Sequence, residues 1–278
     1  MKLASLRDGS RDGQLAVVSR DLSSAVFVDG ITRLQQALDD WAFAAPLLQD
    51  LSDALHAGRA RHAFAFDATQ CVAPLPRPYG WRVDGGDGGD GGDGGDGGGE
   101  PLCGAHAALR AEGERVDVEP LLVALSEDVA RGADAAEALR QLRLLMLVAQ
   151  PWCDGRPCGE RAAAAVAVTP DELGAASAGE LGGTVEVVRG GIALGRFDVT
   201  ARIGDAIARQ VRTAALGAGG AVALSLVPGG CIAARRGDGA TPVWLTAGDV
   251  LRLELRCGGR DARAGGVFGA IERQVVGA

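Results

Sequence analysis

The chain has 278 residues, of which 47% are hydrophobic and 23% are charged, and its formal net charge at pH 7 is −8. This composition is enough to bury one or two cores and excludes a disordered chain. The stretch from Asp84 to Glu100 holds five Asp, one Glu and no base, so the remaining residues carry a net charge of about −2. Electrostatic capture of nucleic acid or of an anionic membrane has no support in this charge balance, and neither is expected as a partner.

The sequence shows no sign of a leader or of a membrane-spanning segment. The first ten residues are polar, and the longest apolar runs, 144–149 and 162–168, fall short of the roughly 20 residues that span a bilayer. We therefore expect a soluble, cytoplasmic protein whose six cysteines are reduced thiols. This expectation includes Cys153 and Cys158, because their spacing fits neither a zinc site nor a two-residue redox motif.

The first sixty residues predict a β-hairpin followed by helices. Two short apolar runs, Lys2–Leu6 and Leu15–Ser19, flank a turn that contains glycine. From Ile31 to Ala45 the apolar residues recur at helical spacing. Pro46 permits a restart into a second helix, which Gly58 ends.

A linking region follows the predicted helices. The proline-rich stretch Cys71–Pro78 disfavours helix and ends a small α/β N-terminal domain, residues 1–78. Residues 84–99 repeat Asp-Gly-Gly and offer no side chain that can bury area, which predicts a flexible, solvated loop within a degenerate region, residues 79–114. Closely spaced carboxylates also suit calcium, but neither the EF-hand pattern nor the nine-residue calcium repeat is present.

Residues 115–278 predict a strand-rich second domain. Helices are expected over 134–148 and 203–216, where apolar residues recur at helical spacing. Apolar runs predict strands over 115–125, 166–168, 184–188, 221–227, 231–234, 250–255 and 267–271. Many short strands without regular strand–helix alternation predict an α+β fold and exclude a doubly wound sheet.

Several stretches at both ends of the chain carry a family resemblance. They are Met1–Leu6 with Asp12-Gly13, Leu34–Trp41, Pro74–Trp81, Ala138–Val148, Val166–Gly174, Cys231–Ala233, Thr241-Pro242 with Gly248-Asp249, and Phe268–Ile271. Together they resemble the fumarylacetoacetate hydrolase family, in the subgroup with a small N-terminal domain. The resemblance implies a C-terminal domain of mixed strands forming a β-roll around a pocket, a homodimer, and cleavage or rearrangement of β-dicarbonyl acids with Mg²⁺ or Mn²⁺.

The resemblance also assigns the positions of the metal ligands. The family's Glu-x-Glu motif corresponds to Glu119-Pro120-Leu121, so Glu119 is retained and Leu121 replaces the second acid. Alternate strand residues share a face, so Asp117 is expected to point the same way as both. The family's Asn-Asp pair corresponds to Ala149-Gln150, which puts the neutral amide of Gln150 in place of the third carboxylate.

Other parts of the family's site differ as well. The segment with the first Asp ligand and the substrate-closing lid is missing around residues 82–114, and the catalytic His corresponds only to His106. The family's pocket Lys falls near Cys158, and its Gly-Thr pair falls near Ser225-Leu226. Two substrate contacts are therefore absent.

Three functions remain open at this point. The first is a divergent homologue that keeps the scaffold and has lost most of the metal and catalytic set. In the second, Glu119 and Gln150 hold Mg²⁺ or Mn²⁺ weakly and retain hydrolase or tautomerase activity on a small oxo-acid. Asp117 or a linker acid, Asp96 or Glu100, would complete that site. The third is a non-catalytic subunit that pairs with an active paralogue. Without the resemblance, Glu119 is a lone acid facing solvent.

Overall fold

The computed structural model describes residues 1–84, 101–176, 179–234, 242–257 and 266–277. Its strands are β1 (Lys2–Leu6), β2 (Gln14–Val18), β3 (Ser24–Phe27), β4 (Phe64–Ala65), β5 (Gly80–Asp84), β6 (Leu109–Ala111), β7 (Val116–Ser126), β8 (Leu142–Cys153), β9 (Arg156–Pro157), β10 (Ala162–Ala163), β11 (Ala167–Val168), β12 (Glu180–Arg189), β13 (Ile192–Arg202), β14 (Gly220–Ser225), β15 (Val250–Cys257) and β16 (Ile271–Gly277). Its helices are α1 (Leu34–Asp39), α2 (Trp41–His56), α3 (Ala135–Gln141), α4 (Ile203–Gln210) and α5 (Cys231–Ala234). Of the Asp-Gly-Gly repeat, Asp84 is described. The rest of the repeat, which includes Asp96, and the following Glu100 lie outside the described residues.

A large sheet of eleven described strands organises the molecule. Its order is β4-β3-β2-β1-β11-β8-β7-β14-β5, with β9 and β10 paired to β8 outside this path. The predicted N-terminal hairpin is present, and β1 joins the rest of the sheet through β11, where Leu3 lies opposite Ala167. The sheet is thus continuous across residue 78, and the domain boundary placed there stays a prediction. Strand pairing is antiparallel in this sheet except between β14 and β5.

A second sheet of five described strands has the order β13-β12-β15-β16-β6. Apolar residues of its strands and of α4 pack with one face of the large sheet, and α1 and α2 cover the opposite face. Layers of strands and helices in this arrangement confirm the α+β prediction. Within the described residues, no helix combines the length and apolar content that a membrane crossing requires.

The central strands β7 and β8 are buried on both faces. Every residue of β7 is buried, and β8 is buried from Leu144 to Pro151. The prediction of a helix over 134–148 was wrong beyond Gln141, where α3 ends. A short run that is apolar at every position cannot be assigned by periodicity, because a strand covered on both faces has the same appearance as a buried helix.

The N-terminal helices divide at Asp40 and not at Pro46. The Asp40 carboxylate accepts a hydrogen bond from the Phe43 N–H, and Asp40 has a non-helical backbone conformation. This side chain therefore caps α2, and Pro46 lies within the helix without breaking it. The helix ends before Gly58, as predicted, and Gly58 has a φ of +66°.

Three further predictions for the second domain were wrong in their type or length. Residues 231–234, predicted as a strand, form α5 because a distant carboxylate accepts hydrogen bonds from the N–H groups of this turn. The last strand begins at Ile271 instead of Val267, since the intervening residues form a turn with Gly269 at a φ of +78°. The predicted helix over 203–216 ends at Gln210, and Leu216 instead pairs with Val129.

The burial of β8 predicts the effect of truncating its side chains. Leu145 is fully buried, so Leu145→Ala is expected to lower the free energy of unfolding by about 2–5 kcal/mol. Leu47 on α2 is 46% exposed, and Leu47→Ala is expected to change it by less than about 0.5 kcal/mol. Urea unfolding of both variants measures the difference. Equal effects at the two positions would contradict the assigned burial.

Candidate functional site

Four polar residues and one tryptophan meet on one face of the large sheet. We call these five residues the carboxylate cluster: Asp117, Glu119, Gln150, Trp152 and Ser225. Glu119 lies opposite Gln150 in the pairing of β7 with β8, and Asp117 lies opposite Trp152. Directly opposed residues of an antiparallel pair project from the same face, so these four side chains share one side of the sheet. Ser225 reaches the cluster from β14, the strand on the other side of β7.

Glu119, the acid that the resemblance assigns to the metal site, is enclosed by protein groups. Its side chain is buried, and its Oε2 accepts a hydrogen bond of 2.6 Å from the indole Nε1 of Trp152. Its Oε1 accepts a hydrogen bond from the hydroxyl of Ser225. Burial raises the pKa of Glu119 above its ordinary value, and the two donors offset this effect only in part. The interpretation of Glu119 as a solvent-facing acid was therefore wrong.

Asp117 uses its carboxylate to hold a turn from a distant part of the chain. Its Oδ1 accepts hydrogen bonds from the N–H groups of Val118 and Ile232, at 2.7 and 2.8 Å. Its Oδ2 accepts one from the N–H of Ala233 at 2.8 Å. A Cβ atom at Gly230 would clash with Oδ2 of Asp117, so only glycine allows this approach. Burial raises the pKa of Asp117 despite these donors.

Gln150 is likewise committed to neighbouring protein groups. Its Oε1 accepts a hydrogen bond of 2.5 Å from Nε of Arg161, and its Nε2 donates to the carbonyls of Pro151 and Cys158. The guanidinium of Arg161 also lies over the ring of Trp81, 4.9 Å from its centroid. A protein cation thus contacts the one oxygen that Gln150 offers.

The cluster does not fit the divalent cation that the family resemblance implies. Mg²⁺ requires about six oxygen ligands in octahedral geometry, and Mn²⁺ also prefers carboxylate oxygen. Here the carboxylate oxygens of Asp117 and Glu119 accept protein hydrogen bonds, and the Gln150 oxygen accepts from Arg161. Leu121, opposite Ser225, is buried in an apolar cluster. Across the described part of the chain, no group of three or more His, Cys, Asp or Glu residues is arranged to hold a metal ion.

His106 is placed apart from the hydrogen bonds of the cluster. It is exposed in a turn that precedes β6. The hydrogen bonds described above for Glu119 and Asp117 do not involve His106. Two surface cavities also lie elsewhere. One of about 320 Å³ lies between α3 and α4, and one of about 230 Å³ lies between α1 and the proline-rich segment. Neither is lined by Asp117 or Glu119.

Cys153, the last residue of β8, and Cys158, the first residue after β9, correct the prediction of free thiols. Cys153 and Cys158 form a disulfide with Cα atoms 5.7 Å apart. The hairpin between β8 and β9 brings them together, a pairing that their spacing in the sequence does not reveal. Cys71, Cys103, Cys231 and Cys257 are free, as predicted.

Comparison with known proteins agrees with this architecture. Residues 1–77 match the family model described as Fumarylacetoacetase N-terminal domain 2. No curated protein matches the sequence. Among solved structures, a fumarylacetoacetate hydrolase from the psychrophilic Exiguobacterium antarcticum is 16% identical, with a TM-score of 0.66 and full coverage of both chains. The chain has the fumarylacetoacetate hydrolase fold.

Two other structures with this fold cover equally much of the chain. A probable 2-hydroxyhepta-2,4-diene-1,7-dioate isomerase from Mycobacterium abscessus is 15% identical, with a TM-score of 0.70, 100% coverage of this chain and 98% of that one. Maleylpyruvate hydrolase from Sphingobium sp. SYK-6 is 14% identical, with a TM-score of 0.69 and full coverage of both chains. It has also been solved in complex with manganese(II) and pyruvate. The resemblance seen in the sequence is confirmed at the level of this fold.

Sequence reasoning identified the two acids of the cluster but not their partners. Trp152 and Arg161 were missed because their contacts depend on the pairing register of β8 and on the chain's return after β9. Ser225 was noted only as a replaced contact. A signal for Trp152 was available, since a residue two places after Gln150 must share its face if the strand continues.

The buried contacts of Asp117 predict a large effect of removing its charge. In Asp117→Asn, one oxygen becomes an amide donor that faces backbone N–H groups of α5. We expect the free energy of unfolding to fall by about 1–3 kcal/mol. The exposed Asp128 accepts a single N–H from Ala218 and provides the control, because Asp128→Asn should cost less than about 0.5 kcal/mol. Denaturant unfolding compares the two, and equal losses would argue against this role of Asp117.

The raised pKa of Glu119 predicts a pH-dependent stability difference. Between the ordinary pKa of 4.5 and the raised folded-state pKa, the folded chain retains a proton that the unfolded chain has lost. This contribution to stability is therefore present at low pH and lost as the pH rises through the folded-state pKa. Glu119→Gln lacks this loss, so its stability relative to wild type should increase from pH 4 upward. Urea unfolding with EDTA across this range measures it.

The exposed Glu114 supplies the matched control for charge removal. The same pH series on Glu114→Gln measures the effect of removing a carboxylate from an exposed position. A difference between wild type and Glu119→Gln that does not change with pH would show that Glu119 titrates at the same pH in the folded and unfolded chains.

Proposed function

We propose that this chain is a catalytically impaired or inactive homologue that retains the fumarylacetoacetate hydrolase fold. One observation carries the proposal: every carboxylate oxygen of Asp117 and Glu119 already accepts a hydrogen bond from a protein N–H or O–H group. Cleavage of a β-dicarbonyl acid in this fold requires a cation that polarises the carbonyls and stabilises the departing enolate. The five residues of the cluster supply no carboxylate oxygen without a protein donor, and no third acid, for such an ion.

The surroundings of the cluster support the same function. Leu121 places an apolar side chain where an oxygen ligand is needed, and it is only 4% exposed. Leu226 and Val227, near the position of the family's Gly-Thr substrate contact, are buried in the core formed with the second sheet. Apolar packing thus replaces polar contacts at positions where an oxo-acid would bind.

A second candidate function follows from the charge of the cluster. Asp117 and Glu119 are both buried, and the Asp117 charge contributes to the raised pKa of Glu119. No described ion pair joins either acid to an Arg, Lys or His. Two adjacent buried acids that pair with no basic residue in the described part of the chain favour a bound positive ion, so a weak Mg²⁺ or Mn²⁺ site with residual hydrolase or tautomerase activity is the alternative.

Thermal unfolding with EDTA, and then with Mg²⁺ or Mn²⁺, separates the two functions. A cation at 100 times its dissociation constant would add about 2.7 kcal/mol, a shift of several degrees in a chain of this size. We expect the midpoint to stay the same within about 1 °C. A rise that Glu119→Ala removes and Glu114→Ala preserves would support the weak metal site instead.

Activity assays test the proposal directly. Purified protein is expected to hydrolyse acylpyruvates with Mn²⁺ no faster than buffer with Mn²⁺ alone. Hydrolysis that is lost in Glu119→Ala and kept in Glu114→Ala would contradict the proposal. Deletion of residues 85–100 then distinguishes a site completed by linker acids, which would lose cation binding, from one built on Asp117 and Glu119, which would keep it.

A further inference from the structure

The disulfide between Cys153 and Cys158 closes a hairpin that borders the carboxylate cluster. Strands β8 and β9 are joined by Asp154 and Gly155, whose φ values of +52° and +83° are typical of a two-residue hairpin turn. Both cysteines are partly exposed, and the turn between them is exposed. A small thiol reagent can therefore reach the sulfur–sulfur bond in the folded protein.

Cys158 is held to the cluster by three separate links. Its N–H donates to the Pro151 carbonyl at 2.9 Å, its carbonyl accepts from Gln150 Nε2 at 3.2 Å, and its sulfur is bonded to Cys153. Cys153 directly follows Trp152, whose indole donates to Glu119. The disulfide thus joins the two segments that position Gln150 and Trp152.

The other four cysteines do not compete in thiol chemistry near neutral pH. Burial raises the pKa of Cys71 to about 12 and that of Cys257 to about 11. Burial also raises the pKa of Cys103 and of Cys231. Because the thiolate is the reactive form, these side chains react slowly. A thiol response of the folded chain therefore comes from Cys153 and Cys158.

We propose that the Cys153–Cys158 pair is a redox site that controls how firmly the indole of Trp152 is held against the Glu119 carboxylate. An external dithiol reduces it: two electrons and two protons pass to the pair, the sulfur–sulfur bond breaks, both cysteines become thiols, and the dithiol closes to its own disulfide. After reduction, the two hydrogen bonds of Cys158 remain and its covalent link to Cys153 is lost. The indole of Trp152 then leaves Glu119 for a larger fraction of time.

This inference does not rest on the absence of catalysis. The hairpin contacts Glu119 whether the cluster is inert or binds a cation weakly. If a cation does bind, the same site would tune its affinity, since Trp152 and a metal ion compete for the Glu119 carboxylate. A failed metal-binding experiment therefore leaves the redox proposal untouched, and a failed redox experiment leaves the proposed function untouched.

The test compares the full chain before and after treatment with dithiothreitol. Alkylation of the folded protein followed by peptide mass spectrometry should modify Cys153 and Cys158 only after reduction. The unfolding midpoint should fall by about 5 °C, as expected for opening a short disulfide loop. Tryptophan emission should shift to longer wavelength as the Trp152 indole gains contact with water.

Three variants make the result specific. Trp152→Phe should lose the emission shift on reduction but keep the change in alkylation. The double variant Cys153→Ser with Cys158→Ser should resemble reduced wild type and ignore the dithiol. Cys257→Ser should respond as wild type does.

Two results would overturn the proposal. One is alkylation of Cys153 and Cys158 without reduction in protein kept under air, which would show that no disulfide forms. The other is complete reduction with no change in emission that depends on Trp152. In that case the disulfide stabilises the β8–β9 hairpin without affecting the contact between Trp152 and Glu119.

Discussion

The hydrogen bonds between the Asp117 carboxylate and the N–H groups of Ile232 and Ala233 join parts of the chain that are 115 and 116 residues apart. They fix the turn after β14 against the centre of the large sheet and satisfy N–H groups that a four-residue helix leaves open. Gly230 permits the approach because it lacks a side chain. The position of this turn also determines which groups of the chain lie beside Glu119.

A buried acid in this setting can be stabilised either by a metal ion or by protein donors. The chain uses donors: an indole, a hydroxyl and backbone amides surround Asp117 and Glu119, and Arg161 takes the oxygen of Gln150. Such a network costs less than unpaired buried charge, yet burial still raises the pKa of both acids. The proposed loss of catalysis and the proposed redox control both follow from the identity of these donors.

The sequence predicted those parts of the fold that local pattern determines. Alternation and turn residues identified the β1–β2 hairpin and β7, and a resemblance spread over many weak motifs identified the fold. Prediction from local pattern failed where contacts between distant parts of the chain decide the structure. The helix at residues 231–234 depends on a carboxylate from β7, and Leu144–Ala149 is uniformly apolar because both faces are covered. The disulfide and the contact between Trp152 and Glu119 depend on a hairpin register that no local pattern contains.

The packing around Leu121 bears on whether a carboxylate could be introduced at this position by single substitutions. Replacing Leu121 with Glu would place a charge in an apolar cluster that includes Val123 and Met146. Even then, Asp117 would still be needed as the acceptor for α5. Each of these changes alone would destabilise the chain before a bound ion could offset the lost stability. Selection acting on one substitution at a time would therefore oppose a carboxylate at residue 121 unless the surrounding apolar side chains changed with it.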